Sequence, residues 1–598
     1  MGLAMLIQYS LLISFILMVG LQGGKAQGPL HLGVNLDEMG AFTNMVDHTN
    51  RYSKATSYDA NGWPMSDFDL VLFDGRPATE WNGTIDDPDG YRIDYSGAYQ
   101  SSFRGQATVR ASGTAVSISD EQYNASTNTT TFTLNVGGYP NANHALVILS
   151  FTNSKRLASS PPSTGITSLR VMRPGYDVAS AQIFTDAFLR LCTAANFECY
   201  RFYNVQNVWD GEPVHPAQTL WSQRKLPTSA SQRSMVAQTG QRDAWCWEHI
   251  IALANTLKKD IWINIHLSCD SNYVTSLAAK LKGELDPSIN IYVENSNEVW
   301  SPAQATHGPY NQAEATARGI SFDQNYARRC VELSRWFAAV LGASAINDRV
   351  RVILAGQQVY AGRSDNHLNY IKNTFGDPKN YVYATSTALY FGSATASSTD
   401  PLQINEGMIA QIDAQTTMPT SQGYRPVHVT KASSWGLVGG CTSYEGGPSL
   451  PEGGGTNNLA AQIRSHRTQR MADVITRNYR QGWSDIGGGL ALYFTLTSGY
   501  NRYGCWGITD DPSNPDRNYK MAALRTLVPV STSVADNTMQ NSLQEVLHVT
   551  AYTLVGIEVA NASNLFDAIQ ALTPGLYFLV STSASGLQST TCVAVCGL

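Results

Sequence analysis

Residues 289–300 read Ile-Asn-Ile-Tyr-Val-Glu-Asn-Ser-Asn-Glu-Val-Trp. Ile289, Ile291 and Val293 alternate with other residues at the period of a strand, and the run leads straight into Asn297-Glu298. The same signature recurs on both sides. Upstream, Trp247, Ile250, Ile251, Ala254 and Leu257 fall at helical spacing, Ile261, Ile263 and Ile265 alternate as a strand, and Val274, Leu277, Ala278 and Leu281 form the next helix face. Downstream, a helix near 323–342 precedes the strand Val350, Val352, Leu354. A helix near 364–374 precedes Tyr381 to Phe391, 458–479 is helical, and Leu490 to Leu496 is a last apolar strand. About eight strand–helix units predict a closed (β/α)8 TIM barrel, an α/β fold in which functional residues gather at the C-terminal strand ends.

Two carboxylates fall at such ends. One is Glu298; the other is Glu445, in Cys-Thr-Ser-Tyr-Glu-Gly-Gly at 441–447. Retaining glycoside hydrolysis needs this pair, one carboxyl to protonate the leaving oxygen and one to attack the anomeric carbon. Asn297, directly before Glu298, offers an amide to an adjacent sugar hydroxyl. Glu294, inside the strand, is expected to support the site and not to react.

The flanks differ from the barrel. Residues from about 60 to 157 are rich in Thr, Ser, Gly and Tyr and alternate in stretches such as 130–136, which predicts an antiparallel β-rich subdomain inserted after the first strand, Gly33 to Leu36. Pro529 and a Ser/Thr/Asn-rich stretch mark a boundary near 528–540, so the barrel is expected over 27–528 and a small β-sandwich-like module over 529–598. Residues 1–26 read as a signal peptide: Leu11 to Leu21 is apolar and Gly24-Lys25-Ala26 puts small residues at the cleavage positions, implying a secreted protein with no membrane span after its removal.

The 598 residues are 43% hydrophobic and 15% charged, the composition of a globular chain. A net charge of −6 offers no basic excess for phosphates, so no nucleic-acid partner is expected. The 12 Trp and 29 Tyr are compatible with flat platforms for sugar faces. Nine cysteines fit an oxidising compartment, their odd number leaves at least one unpaired within the chain, and none has zinc spacing; no cofactor or metal is expected. Cys441 and Cys505, each preceding a key residue on what should be neighbouring strands, are the expected disulfide. Sequons begin at Asn82, Asn124, Asn128 and Asn561.

With these strings in place, the chain resembles clan A glycoside hydrolases, the retaining (β/α)8-barrel group, in which an Asn-Glu pair ends the fourth strand and a second Glu the seventh. It resembles more closely a set of secreted proteins labelled cellulose-binding, through Val171 to Gly175, Arg201-Phe202, Tyr292 to Glu294, Asn297 to Trp300, Tyr444 to Gly447 and Tyr503 to Gly507. The resemblance covers roughly 30–525 and implies a polysaccharide or oligosaccharide partner. It implies Glu298 as acid/base, Glu445 as nucleophile and Asn297 as a hydroxyl ligand. It further implies Tyr390 bonded to the nucleophile, Trp506 as a sugar platform, Arg201 holding the nucleophile ionised, and His266 lining the pocket. Departures are Ala388 where many members carry His, Asn204 where relatives tend to carry Asp, and an altered run at Ser268 to Asn272. Both glutamates favour an enzyme. The departures favour the alternative, a non-catalytic carbohydrate-binding or matrix protein on the same barrel. Thr573 to Phe578 is also similar to the sorting modules of bacterial type IX secretion, which a generic β module explains equally well.

Overall fold

The computed structural model describes residues 30–529, except 37–44, 48–51, 75–85, 88, 92, 114, 139–145, 210, 418–423 and 452–457, together with strands at 546–553, 558–562, 575–583 and 588–595. The expected signal peptide and the sequon at Asn82 lie outside the described residues.

Strand β1 (Leu32–Asn35) opens the barrel. Before the barrel resumes, the chain makes β2 (Tyr52–Lys54), β3 (Phe68–Asp74), β4 (Gly97–Arg104), β5 (Gln106–Gly113), β6 (Val116–Asn124), β7 (Thr129–Val136), β8 (Leu146–Lys155) and β9 (Thr167–Val171). These form two four-stranded antiparallel sheets, β2-β3-β8-β5 and β6-β7-β4-β9. Their inward positions bury one apolar cluster that includes Phe73, Phe103, Phe132, Leu134, Leu149 and Phe151. The sheets extend past the expected 60–157 at both ends, because β2 pairs with β3 and β9 with β4.

The remaining barrel strands are β10 (Cys199–Arg201), β11 (Asp260–Ile265), β12 (Ile291–Asn295), β13 (Val350–Ala355), β14 (Ala384–Phe391), β15 (Cys441–Pro448) and β16 (Ala491–Tyr493). All pair in parallel, and β16 closes on β1, giving the predicted eight-stranded barrel. Period two sorts the side chains. Ile261, Ile263, Ile291 and Val293 face the helix layer, while Trp262 and Tyr292 join an interior cluster and stack with ring centroids 5.4 Å apart. On the same inward phase Glu294 is fully buried, which places a carboxylate inside the barrel. The helices follow their strands, among them Asp186–Cys192, Trp247–Leu257, Ser271–Glu284, Gly362–Phe375 and Tyr519–Leu527. The predicted helix at 458–479 is two, Leu459–Ser465 and Arg470–Tyr479.

A second compact unit begins at Pro529. Where a sandwich was expected, its described residues form one antiparallel sheet, β18-β17-β19-β20, from β17 (Val546–Thr553), β18 (Glu558–Ala562), β19 (Gly575–Ser583) and β20 (Gln588–Val595). No helix among the described residues is long and apolar enough to cross a membrane.

The expected disulfide is a correction. Cys441 and Cys505 are free and buried, as are Cys192, Cys199, Cys246, Cys269 and Cys330. Cys441 begins β15 at the N-terminal end of the barrel, whereas the N–H of Cys505 bonds to the carbonyl of Leu450, past that strand's other end. Extended chain rising about 3.3 Å per residue separates the two, far beyond the roughly 7 Å a bridge allows.

Candidate active site

The strand ends deliver side chains to one buried centre. Asn35, last in β1, pairs in register with Arg201, last in β10. The Arg201 guanidinium is fully buried and donates to four groups: Glu294 Oε2 at 3.0 Å, Asn35 Oδ1 at 3.0 Å, Asn297 Oδ1 at 2.6 Å and Glu445 Oε2 at 3.3 Å. Three rings enclose it, with Tyr203 at 4.4 Å, Tyr444 at 5.2 Å and Trp262 at 6.0 Å from the guanidinium carbon. The planar donor fork reaches two carboxylates and two amides at once, which a lysine ammonium does not do. Asn35 also donates to the backbone carbonyls of Tyr444 and Tyr493, tying β1 to β15 and β16.

Glu298 and Glu445 meet across this centre. Burial, the charge of Glu445 and a side-chain hydrogen bond between the two carboxyls together raise the Glu298 pKa well above the ordinary carboxylate range. Carboxyls in hydrogen-bond contact are closer than the ~6.5–9.5 Å that an inverting pair needs to admit water. Tyr444 Oη lies 3.5 Å from Glu298 Oε1, and Gln304 donates to Oε2 at 3.3 Å. Burial also raises the Glu294 pKa, against the opposing pull of Arg201 and of Trp262, whose indole N–H donates at 2.7 Å. One buried cation thus faces three carboxyls. The backbone is strained there too: Ser296 has φ +59° and Glu298 +51°, a region that disfavours residues with a side chain.

The other expected residues divide. Asn297 is at the centre, its Oδ1 taken by Arg201 and its amide N–H2 left as the donor. Tyr390 is near enough that, after burial, the charge of Glu445 raises its pKa. The hydrogen bond to Glu445 that the resemblance implies is not formed among the described residues, where Glu445 Oε2 accepts from Arg201. Beside it, Ala388 stands in register with Glu445 at a bulge between β14 and β15. Trp506 is half-buried against Phe494, ring centroids 6.0 Å apart.

His266 does not join the glutamates. Its ring lies between two buried acids, Nδ1 3.6 Å from Glu212 and Nε2 3.5 Å from Asp243. Burial alone would lower its pKa, but the two carboxylates raise it to about 9. Glu212 also accepts the N–H of Ser268 at 3.1 Å and that of Leu267, and Asp243 accepts the Tyr273 hydroxyl at 3.1 Å. His266 therefore ties the 202–246 connection to the end of β11 through its two carboxylate contacts.

Sequence reasoning missed Asn35, Trp262, Tyr203 and Lys520. Lys520 Nζ is buried and donates to the carbonyls of Cys505 at 2.7 Å and Gly507 at 3.0 Å, one on each side of Trp506. Burial brings its pKa down to about 7. Among the described residues no group of His, Cys, Asp and Glu has the arrangement to hold a metal ion.

No family model and no curated protein matches the chain. Solved structures to which it is similar include an arabinose-bound α-L-arabinofuranosidase, MgGH51, 10% identical with a TM-score of 0.37 over 79% of this chain and 75% of that one. A trimodular GH5_4 subfamily endoglucanase is 10% identical with a TM-score of 0.31 over 69% and 74%. A psychrophilic family 10 endo-β-1,4-xylanase is 8% identical with a TM-score of 0.29 over 56% and 92%.

Proposed function

We propose that the protein is a secreted retaining glycoside hydrolase acting on β-linked polysaccharide or oligosaccharide. The observation that carries the reading is the Glu298–Glu445 pair: two carboxyls in contact, one kept protonated and one held by a guanidinium. Glu298 stays protonated because ionising it would put a further negative charge beside Glu294 and Glu445 in a buried site. It is the proton donor to the leaving oxygen. Glu445, bonded to Arg201, is the carboxylate that attacks the anomeric carbon. The glycosyl–Glu445 ester then forms as the leaving alcohol departs with the Glu298 proton. In the second half Glu298, now a carboxylate, takes a proton from water, whose oxygen displaces Glu445 and restores the original anomeric configuration. Asn297 offers its amide N–H2 to the hydroxyl next to the anomeric carbon, and Trp506 offers a ring face to a sugar.

The seven buried thiols fit an oxidising compartment without disulfides. Burial pushes those of Cys330 and Cys441 up to about 12 and the other five higher still, so little thiolate forms.

The test is hydrolysis of a panel of β-linked polysaccharides and aryl β-glycosides, with the first-formed anomer read by proton NMR. The expected result is cleavage of at least one member with the β anomer appearing first. Inversion refutes the mechanism. Binding of the same glycans without cleavage selects the non-catalytic carbohydrate-binding reading.

A further inference from the structure

The rim of the barrel at its C-terminal face is built unequally. The connections after β11, β12, β13 and β14 are short, spanning 266–270, 296–306, 356–361 and 392–400 before the next helix. Those after β16, β1 and β10, three adjacent strands, span 494–518, 36–185 and 202–246. The three long connections are also knitted together. On one side, Asp87 and Asp510 share Arg467, at 2.5 and 2.7 Å; Asp86 holds Arg502 at 2.6 Å; and the N–H of Tyr91 donates to Asp510 at 3.3 Å. On the other side, the Trp63 indole donates to the Thr228 carbonyl at 3.0 Å and the N–H of Ala230 to the Asn61 carbonyl at 2.8 Å. Asp86, Asp87 and Asp510 are buried, so these ties are more than surface ion pairs. The inserted segment, through its β2–β3 and β3–β4 connections, thereby joins the loop that carries Trp506 to the loop that carries Tyr203. On the opposite rim the connections are short, and Trp300 packs on Tyr444 beside Glu298.

We infer that this wall closes one end of the cleft, so that the site takes a chain from its non-reducing end. The inference rests on the retaining-glycosidase reading for its direction. Glu298, the proton donor, is followed in its own short connection by Trp300 and Gln304, so the departing part of the chain leaves across the low rim. The sugar attacked by Glu445 then lies toward Trp506 and the wall, with room for few residues beyond it. The substrate is the end of a β-linked chain, released in short units, and internal bonds of a long polymer are excluded.

The test uses cellohexaose, xylohexaose and mannohexaose, each free or capped at the non-reducing end with a 4,6-benzylidene group, and the corresponding soluble polysaccharides. The expected result is one short product from the outset, little loss of polymer viscosity, and capped hexaoses cleaved at least about tenfold more slowly than free ones, as for a pocket that must reject extra bulk. Rapid viscosity loss with a ladder of internal products overturns the wall while leaving the glycosidase reading intact. If nothing is cleaved, equilibrium binding of the same hexaoses decides: weaker binding of the capped forms supports the wall, equal binding overturns it. Arg502→Gln, whose side chain is 25% exposed, loosens one tie, the one to Asp86, and leaves the Arg467 ties in place. It should raise internal relative to terminal cleavage while aryl glycoside turnover stays within about twofold. An unchanged cleavage pattern in a variant with a mobilised 494–518 loop, read by proteolysis, counts against the inference.

Discussion

Two buried acid clusters sit at the ends of adjacent strands, and they differ in how their charge is satisfied. After β11, His266 stands between Glu212 and Asp243, and each carboxylate has further donors in backbone N–H groups or a tyrosine hydroxyl. Against its burial, His266 and those donors keep the Glu212 pKa below the usual carboxylate value. After β12, Arg201 faces Glu294, Glu445 and Glu298; burial raises the pKa of Glu294 and, with the charge of Glu445, that of Glu298. The first cluster is compensated and holds a loop. The second keeps one carboxyl protonated beside one bonded to a cation, the arrangement that the proposed mechanism uses as proton donor and nucleophile. Burial and charge are common to both; the shortage of donors marks the one proposed to react.

The widest gap between the clusters should appear when one acid is removed from each. Glu445→Ala should lower kcat at least about a thousandfold with the fold intact, as for loss of a nucleophile. Glu212→Ala should leave kcat of the folded enzyme near wild type and cost about 3–5 kcal/mol of stability, the cost of stranding a buried charge. Steady-state kinetics and urea denaturation on both variants check this, and a Glu212 variant that is stable but inactive breaks the distinction.

Glu298→Gln should slow substrates with poor leaving groups by about 10²–10⁴-fold, the usual size of general acid catalysis, and good ones far less. A raised folded-state pKa means the acid is lost as pH rises through that value, so the wild type should show an alkaline limb in kcat/KM that the Gln variant lacks. The same sign applies to stability. The buried Glu298 penalises the fold once pH exceeds the unfolded carboxylate pKa, so Gln should raise Tm at pH 7.

The His266 cluster titrates with the same sign, through a partner-raised imidazole in place of a buried acid. With a folded pKa of about 9 against an ordinary 6.5, its contribution is fully present below about pH 6.5 and is lost as pH rises through 9. Urea midpoints between pH 6 and 10 should fall in the wild type and flatten over that window in His266→Gln.

The smallest effect is expected outside both clusters. Lys520→Met should raise KM by up to about tenfold with kcat within about twofold, because the lysine holds the backbone on either side of Trp506 and the Tyr500 ring and contacts neither glutamate of the pair. A drop in kcat alone would place Trp506 in the chemistry and not in binding.

These contrasts also show what the sequence could and could not reveal. The barrel was legible because period-two strands and helical stripes are local, as in Ile261-Ile263-Ile265 followed by Val274-Leu277-Leu281. Glu298 and Glu445 were legible because strand-end carboxylates stand in short, distinctive strings. Asn35 was not, since its meaning comes from barrel closure, which pairs it with Arg201 and sets its amide against Tyr444 and Tyr493. The partners of His266 were not legible, because Glu212 and Asp243 come from the long 202–246 connection, where no periodicity places them. The Cys441–Cys505 pairing failed because strand adjacency says nothing about height along the barrel.

The central claim, that Glu445 is a nucleophile poised beside a protonated Glu298, is met most directly by trapping. A 2-deoxy-2-fluoro β-glycoside with an activated leaving group, built on the sugar the enzyme cleaves, should inactivate the wild type and add one glycosyl unit to the peptide containing 441–448, with the mass shift on Glu445. Turnover of the parent substrate with no adduct, or an adduct on another residue, would contradict it.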